Sequence, residues 1–157
     1  MALVTFFFAS WLAAALLYVI PRRLTFMENC LLFLVALVIS INVSWIIIEE
    51  LKLIELTREP LQYTAYLLYR SLLVPLLFVL WLNVLKLQQS IVQAVLVTAG
   101  LTGTVLLCNG LALYEGIFTY AGWNVLYDLV AVVLLQAVLY GIYRLAAKWM
   151  VSGAERV

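Results

Sequence analysis

The chain has 157 residues, of which 68% are hydrophobic and 11% charged, with a net charge of +1. Soluble domains run at about 45–50% apolar and about 25% charged, so this composition excludes a water-bathed globule and points to lipid. The few lysines and arginines are scattered, which implies no surface for nucleic acid. Histidine is absent, which removes the commonest zinc ligand, the usual haem ligand and the favoured base near neutral pH, so no cofactor and no metal site is expected.

A segment of about 20 apolar residues crosses the hydrocarbon core, and the chain offers five, at residues 3–20, 26–48, 61–85, 91–114 and 123–143. The first ends at Pro21 and the basic pair Arg22 and Arg23. Ala13 to Ala15 resemble a signal-peptidase site, but no positive charge precedes the segment and the apolar run continues past the alanines, so it reads as a retained helix. The second opens at "TFME", where Thr25 and Glu28 have the spacing of a capping box. Beyond it "EELKLIELTRE" keeps helical character as far as Pro60. A helix over residues 25–58 would be ~50 Å long against a core of ~30 Å, so its end is expected to project from the membrane or bend along it.

Short loops make successive helices antiparallel neighbours, and the absence of repeats or linkers makes residues 1–157 a single domain. The expected fold is all-α: a polytopic integral membrane protein, a five-transmembrane-helix bundle surrounded by the lipid bilayer, multi-pass in the cell membrane. Cys30 and Cys108 fall near opposite ends of their spans, too far apart for a disulfide, and read as packing residues. Arg22, Arg23, Lys86, Arg144, Lys148 and Arg156 fall on one side, Lys52 and Arg58 on the other. The richer side is expected to be cytoplasmic, with the N-terminus outside and the C-terminus inside.

With that topology Glu49, Glu50, Glu115, Asp128 and Arg70 converge on the outer side from four spans. Arg70 lies within its span, where an arginine costs ~2.5–3.5 kcal/mol on insertion scales unless it snorkels or pairs. Asp128, also inside a span, is its expected partner, with Glu115 second. Asn42, Trp45 and Glu49 share one helical face, Tyr63, Tyr66 and Arg70 another, and Asn124 with Asp128 a third. Pro75 cannot donate to the carbonyl of Ser71 and is expected to kink its helix beside the charge.

Bland readings stand beside each of these. The Arg–Asp pair can serve only to fix helix register, the glutamates can be simply solvated, and Trp45, Tyr114, Tyr120, Trp123 and Tyr127 can form an interfacial aromatic belt. Thr98, Thr102 and Asn109 can line a polar path or bond to neighbouring helices and their own carbonyls. Ala99 and Gly103, in "AGLTG", allow close approach of another helix.

No nucleophile motif, zinc signature or phosphate-cradling loop is present. The leading expectation is a small non-catalytic membrane subunit or binding module that meets a membrane-protein partner or a second copy of itself. Its partner surface is Glu50, Lys52, Glu55 and Arg58. The alternative is a small transporter or ligand-binding protein whose outward-open pocket takes a small polar or zwitterionic ligand at Arg70, Asp128, Glu115, Glu49, Asn42, Tyr66 and Asn124. An enzyme acting on lipid head groups comes third.

Overall fold

In the computed structural model, which describes residues 1–21 and 23–154, six α-helices and two short strands build the chain. Helix α1 covers Ala2–Val19, α2 Phe26–Trp45, α3 Pro60–Leu68, α4 Val74–Leu85, α5 Ile91–Tyr114 and α6 Val125–Ala154. Strands β1, Ile54–Leu56, and β2, Phe118–Tyr120, pair antiparallel. Two π-helical turns, Ile46–Glu50 and Tyr69–Leu73, extend α2 and join α3 to α4. Five continuous helical segments are thus long and apolar enough to cross a membrane: Ala2–Val19, Phe26–Glu50, Pro60–Leu85, Ile91–Tyr114 and Val125–Ala146. Arg22 and Arg156, two of the basic residues used above for orientation, lie outside the described residues.

The third span is the hub. Over half of it, 56%, is buried inside the bundle, against 17–22% for the other four. It packs on α1, α2 and α5, while α6 leans on α2 and α5. Successive spans are neighbours, as short loops imply, from α2 onward; the exception is α1, which packs on the third span and not on α2. Helix α1 turns its buried face to the third span and leaves a cleft of about 470 Å³ against α2, lined by Leu17 and Phe33 among others. The core comprises Phe6 from α1, Leu32 from α2, Leu73, Phe78 and Leu82 from the third span and Leu139 from α6. Helix α2 meets it along Leu32, Ala36 and Ser40, one residue per turn on one face. The outward surfaces are apolar, with Phe7, Trp11, Val95, Leu107 and Val130 all exposed. So continuous an apolar surface belongs in a bilayer.

The capping box forms: the Glu28 amide donates to the Thr25 hydroxyl at 3.3 Å, and the Thr25 amide to the Glu28 carboxylate at 2.6 Å. Near this end Asn83, only 1% exposed, donates to Asn29 at 2.7 Å and accepts from the Leu24 amide at 3.4 Å, tying α4 to the start of α2. Midway along the bundle Trp81 donates to Thr98 at 3.2 Å, and Thr102 to Gln136 at 3.3 Å. Thr98 and Thr102 also donate to the carbonyls of Ala94 and Thr98. They are cross-links between α4, α5 and α6 and bond back into their own helix.

At the other end the structure departs from the expected long helix. Helical structure stops at Glu50, and the chain reverses at Lys52, whose φ of 50° is left-handed. The Leu53 amide reaches back to the Ile47 carbonyl at 3.1 Å. "LIELT" then runs with period two, placing Ile54 and Leu56 half-buried and Glu55 exposed, which suits a strand with one wet face. Ile54 faces Tyr120, Glu55 faces Thr119, and Leu56 faces Phe118. Pro60 does not end a helix but begins α3, where its fixed φ is favourable and its missing amide is not needed.

The second strand follows a Schellman ending of α5. Gly116, at φ 70°, donates to the Leu113 carbonyl and Ile117 to that of Ala112, at 3.1 and 3.0 Å. The loop after β2 is pinned by a single acceptor: the carbonyl of Leu53 receives the amides of Ala121, Gly122 and Trp123 at 2.9, 3.1 and 3.2 Å. A Cβ on Gly122 would stand 2.9 Å from the end of the Leu53 side chain, which would have to move aside.

Pro75 acts one residue further back than an α-helical reading allows. In the turn Tyr69–Leu73 the Val74 amide bonds the Tyr69 carbonyl, a five-residue step. The next carbonyl in that series, Arg70's, would require an amide from Pro75, which has none. The Ser40 hydroxyl donates to it instead, at 3.3 Å. The kink expected beside Arg70 is therefore a π-turn, closed from outside by α2.

Candidate functional site

Beneath the strand pair lies a cavity of about 140 Å³. Ser40 and Ser44 of α2, at i and i+4, line it together with Ile47 of the π-turn that follows. Tyr66, Tyr69 and Arg70 come from the third span, Asn109 from α5 and Asp128 from α6. Ile54 and Phe118, inward residues of β1 and β2, cover its end together with Trp123. Both π-turns contribute to its wall, through Ile47 and Ile48 in one and Tyr69 and Arg70 in the other. Such turns re-aim side chains and recur at functional sites.

Arg70 holds its guanidinium 5.3 Å from the centre of the Tyr66 ring, a cation–π contact. Its Nε is buried and meets no acceptor among the described residues. Tyr69, buried and set edge-on to Phe6, donates its hydroxyl to the Asn109 side-chain carbonyl. Asp128 is differently placed. One carboxylate oxygen accepts from the Tyr120 hydroxyl and the other from the Trp123 indole N–H, the latter at 2.7 Å. Burial, with the Asp128 carboxylate beside it, raises the Tyr120 phenol above its usual range.

Arg70, Asp128 and Tyr66 are thus brought to one cavity, but Arg70 and Asp128 form no ion pair within 4.0 Å. The remaining candidates lie elsewhere. Glu115, 23% exposed, is 3.9 Å from the Met1 amino group. Asn42 on α2 and Glu49 in the π-turn after it are exposed and do not line the cavity, and Asn42 donates to the Val38 carbonyl at 2.7 Å. Asn124 is exposed and caps α6, accepting from the Tyr127 amide at 3.1 Å. Glu50, Lys52, Glu55 and Arg58 are all exposed around β1, on a strand and its flanks and not on a projecting helix. Trp45, Tyr114 and Tyr127 face outward as an aromatic belt would, whereas Tyr120 and Trp123 are engaged with Asp128.

Ser40, Ser44 and Tyr69 are site residues that sequence reasoning passed over. The two serines one turn apart, continuing the small-residue stripe from Ala36, were the available signal. Tyr69, three residues after Tyr66, offered the same spacing signal. Cys30 and Cys108 are both free thiols. Compared with known protein families, characterised proteins and solved structures, the chain matches none.

The arrangement offers a guanidinium that stacks on Tyr66 and whose buried Nε has no acceptor among the described residues, several hydroxyls, and a carboxylate already satisfied by two neutral donors. It can hold an oxygen anion against Arg70.

Proposed function

We propose that this is a small, non-catalytic membrane binding protein whose cavity takes the oxyanion of a small ligand at Arg70. The observation that supports it is the buried Nε of Arg70, which has no acceptor among the described residues in a cavity otherwise equipped with hydroxyls and the Asn109 amide. A buried donor left unpaired costs about 1–3 kcal/mol, more when charged, and an anionic oxygen would remove that cost. The excess of Lys and Arg at the end opposite the strand pair supports a topology with that pair outside the cell membrane and the C-terminus inside. Native mass spectrometry of protein gently extracted from its own membranes tests the reading. A small molecule retained by the wild type and by Glu115→Gln but lost from Arg70→Leu is expected; equal retention by all three would refute it.

An accessory-subunit role is the second reading, supported by the exposed charged row Glu50, Lys52, Glu55 and Arg58 around β1. The same spectra test it: a stoichiometric protein partner, released when these four are changed to serine, is the expected result.

A further inference from the structure

Resting on the Arg70 reading above, we infer that the ligand is the anionic end of a single-chain amphiphile, and that it enters sideways from the bilayer between α2 and α6. The end of the cavity nearest the water is roofed. Ile54 and Phe118 lie across it, and the strand pair that carries them is fastened by the three amides on the Leu53 carbonyl. The walls from the third span and α5 are mostly closed: Tyr66, Tyr69, Val74, Phe78 and Val105 are buried, and Arg70 and Asn109, the polar groups among them, are half-buried. The side facing α2 and α6 differs. There Val43 is 39% exposed, and Ile47 and Ala131 are half-buried. These residues belong to spans whose outward faces are apolar, so the accessible edge of the cavity meets hydrocarbon.

Size sharpens the choice of ligand. About 140 Å³ is close to the ~150 Å³ of an engineered cavity that holds one benzene. It is smaller than the roughly 300–1,000 Å³ of pockets that enclose a drug-sized molecule. The cavity can admit a carboxylate or phosphate with the first carbons of a chain, and the remainder must lie outside it, along α2 and α6 in lipid. Arg70 supplies the charge match for the head, and Val43, Ile47 and Leu135 supply an apolar passage for the chain. Asp128, already bonded to Tyr120 and Trp123, favours an anion that docks once and carries no second negative group.

The test is equilibrium binding to the full chain in phosphatidylcholine nanodiscs, with dodecanoate and dodecyl phosphate as probes and acetate and inorganic phosphate as short-chain controls. One saturable site per chain is expected for an amphiphile, at least tenfold weaker in Arg70→Leu and in Ala131→Trp, which narrows the side passage. Saturation by dodecanoate alone would assign a fatty carboxylate, and by dodecyl phosphate alone a lipid phosphate. Arg70-dependent binding of acetate or inorganic phosphate as tight as that of the long-chain probes would overturn the amphiphile while leaving Arg70 as an oxyanion site. Unchanged amphiphile binding in a folded Ala131→Trp protein would overturn the sideways route. No saturable binding of any probe to the wild type would overturn both readings. Should Arg70→Leu fail to fold, Arg70→Lys, which keeps the charge and loses the planar donor set, takes its place with the same expected weakening.

Discussion

Arg70 and Asp128 occupy one cavity in opposite conditions, and their substitutions should differ in sign. Removing Asp128 as Asp128→Leu leaves the half-buried Tyr120 hydroxyl and Trp123 indole without their acceptor, at a cost of about 1 kcal/mol for each. Removing Arg70 as Arg70→Leu deletes a charge whose Nε has no acceptor among the described residues, so the unliganded protein should be as stable as the wild type or more so. Unfolding of the two variants in mixed micelles checks this. Comparable destabilisation by both would mean that the pair is bonded after all. Tyr120 carries a pH prediction. Its phenol is raised by burial and by Asp128, so the folded state holds that proton more tightly than the unfolded chain. The resulting stability is complete below the unfolded tyrosine value of about 10 and fades as pH rises beyond it. Melting temperatures above pH ~10 should therefore fall less steeply in Tyr120→Phe than in the wild type.

The π-turn of the third span is a device with separable parts. In Pro75→Ala the missing amide returns and the turn can relax to an α-helix, which rotates Arg70 relative to α4 by about 100°, one residue's step. That variant should stay folded and lose the Arg70-dependent ligand. Ser40→Ala alone leaves the Arg70 carbonyl unpaired and should cost about 1 kcal/mol or more. In the Pro75→Ala background the same change should cost little, because the backbone then satisfies the carbonyl itself. A double-mutant cycle on these two positions measures the coupling, and additive effects would refute the account. At the other π-turn, Lys52 holds a left-handed conformation that favours glycine. Lys52→Gly should stabilise the turn by about 1 kcal/mol in the same unfolding assay.

At the scale of the molecule, the orientation proposed above predicts that maleimide added outside intact cells labels a cysteine placed at Glu55, while one placed at Lys86 reacts only after permeabilisation; the reverse pattern would invert that orientation. Five spans and the Thr25 cap were legible because lipid demands length and apolarity, and because capping is local chemistry. The meeting of Arg70, Tyr66 and Asp128 was partly legible, since each stands in or near a span where polarity is costly. What escaped reading depended on contacts distant in sequence. A three-residue strand at β1 exists only because β2, over sixty positions later, pairs with it. Ser44 follows Ser40 by one regular turn of α2, whereas Tyr69 and Arg70, adjacent in sequence, both reach the site from a π-turn. Asn42, Glu49 and Asn124 looked alike in spacing, yet lie outside the cavity. The roof of Ile54 and Phe118 has one further meaning. If water cannot reach the cavity from above, the bilayer is the reservoir that fills it, and occupancy follows the mole fraction of ligand among lipids. Diluting a sample with buffer would leave the site as full as before, whereas adding empty vesicles would drain it.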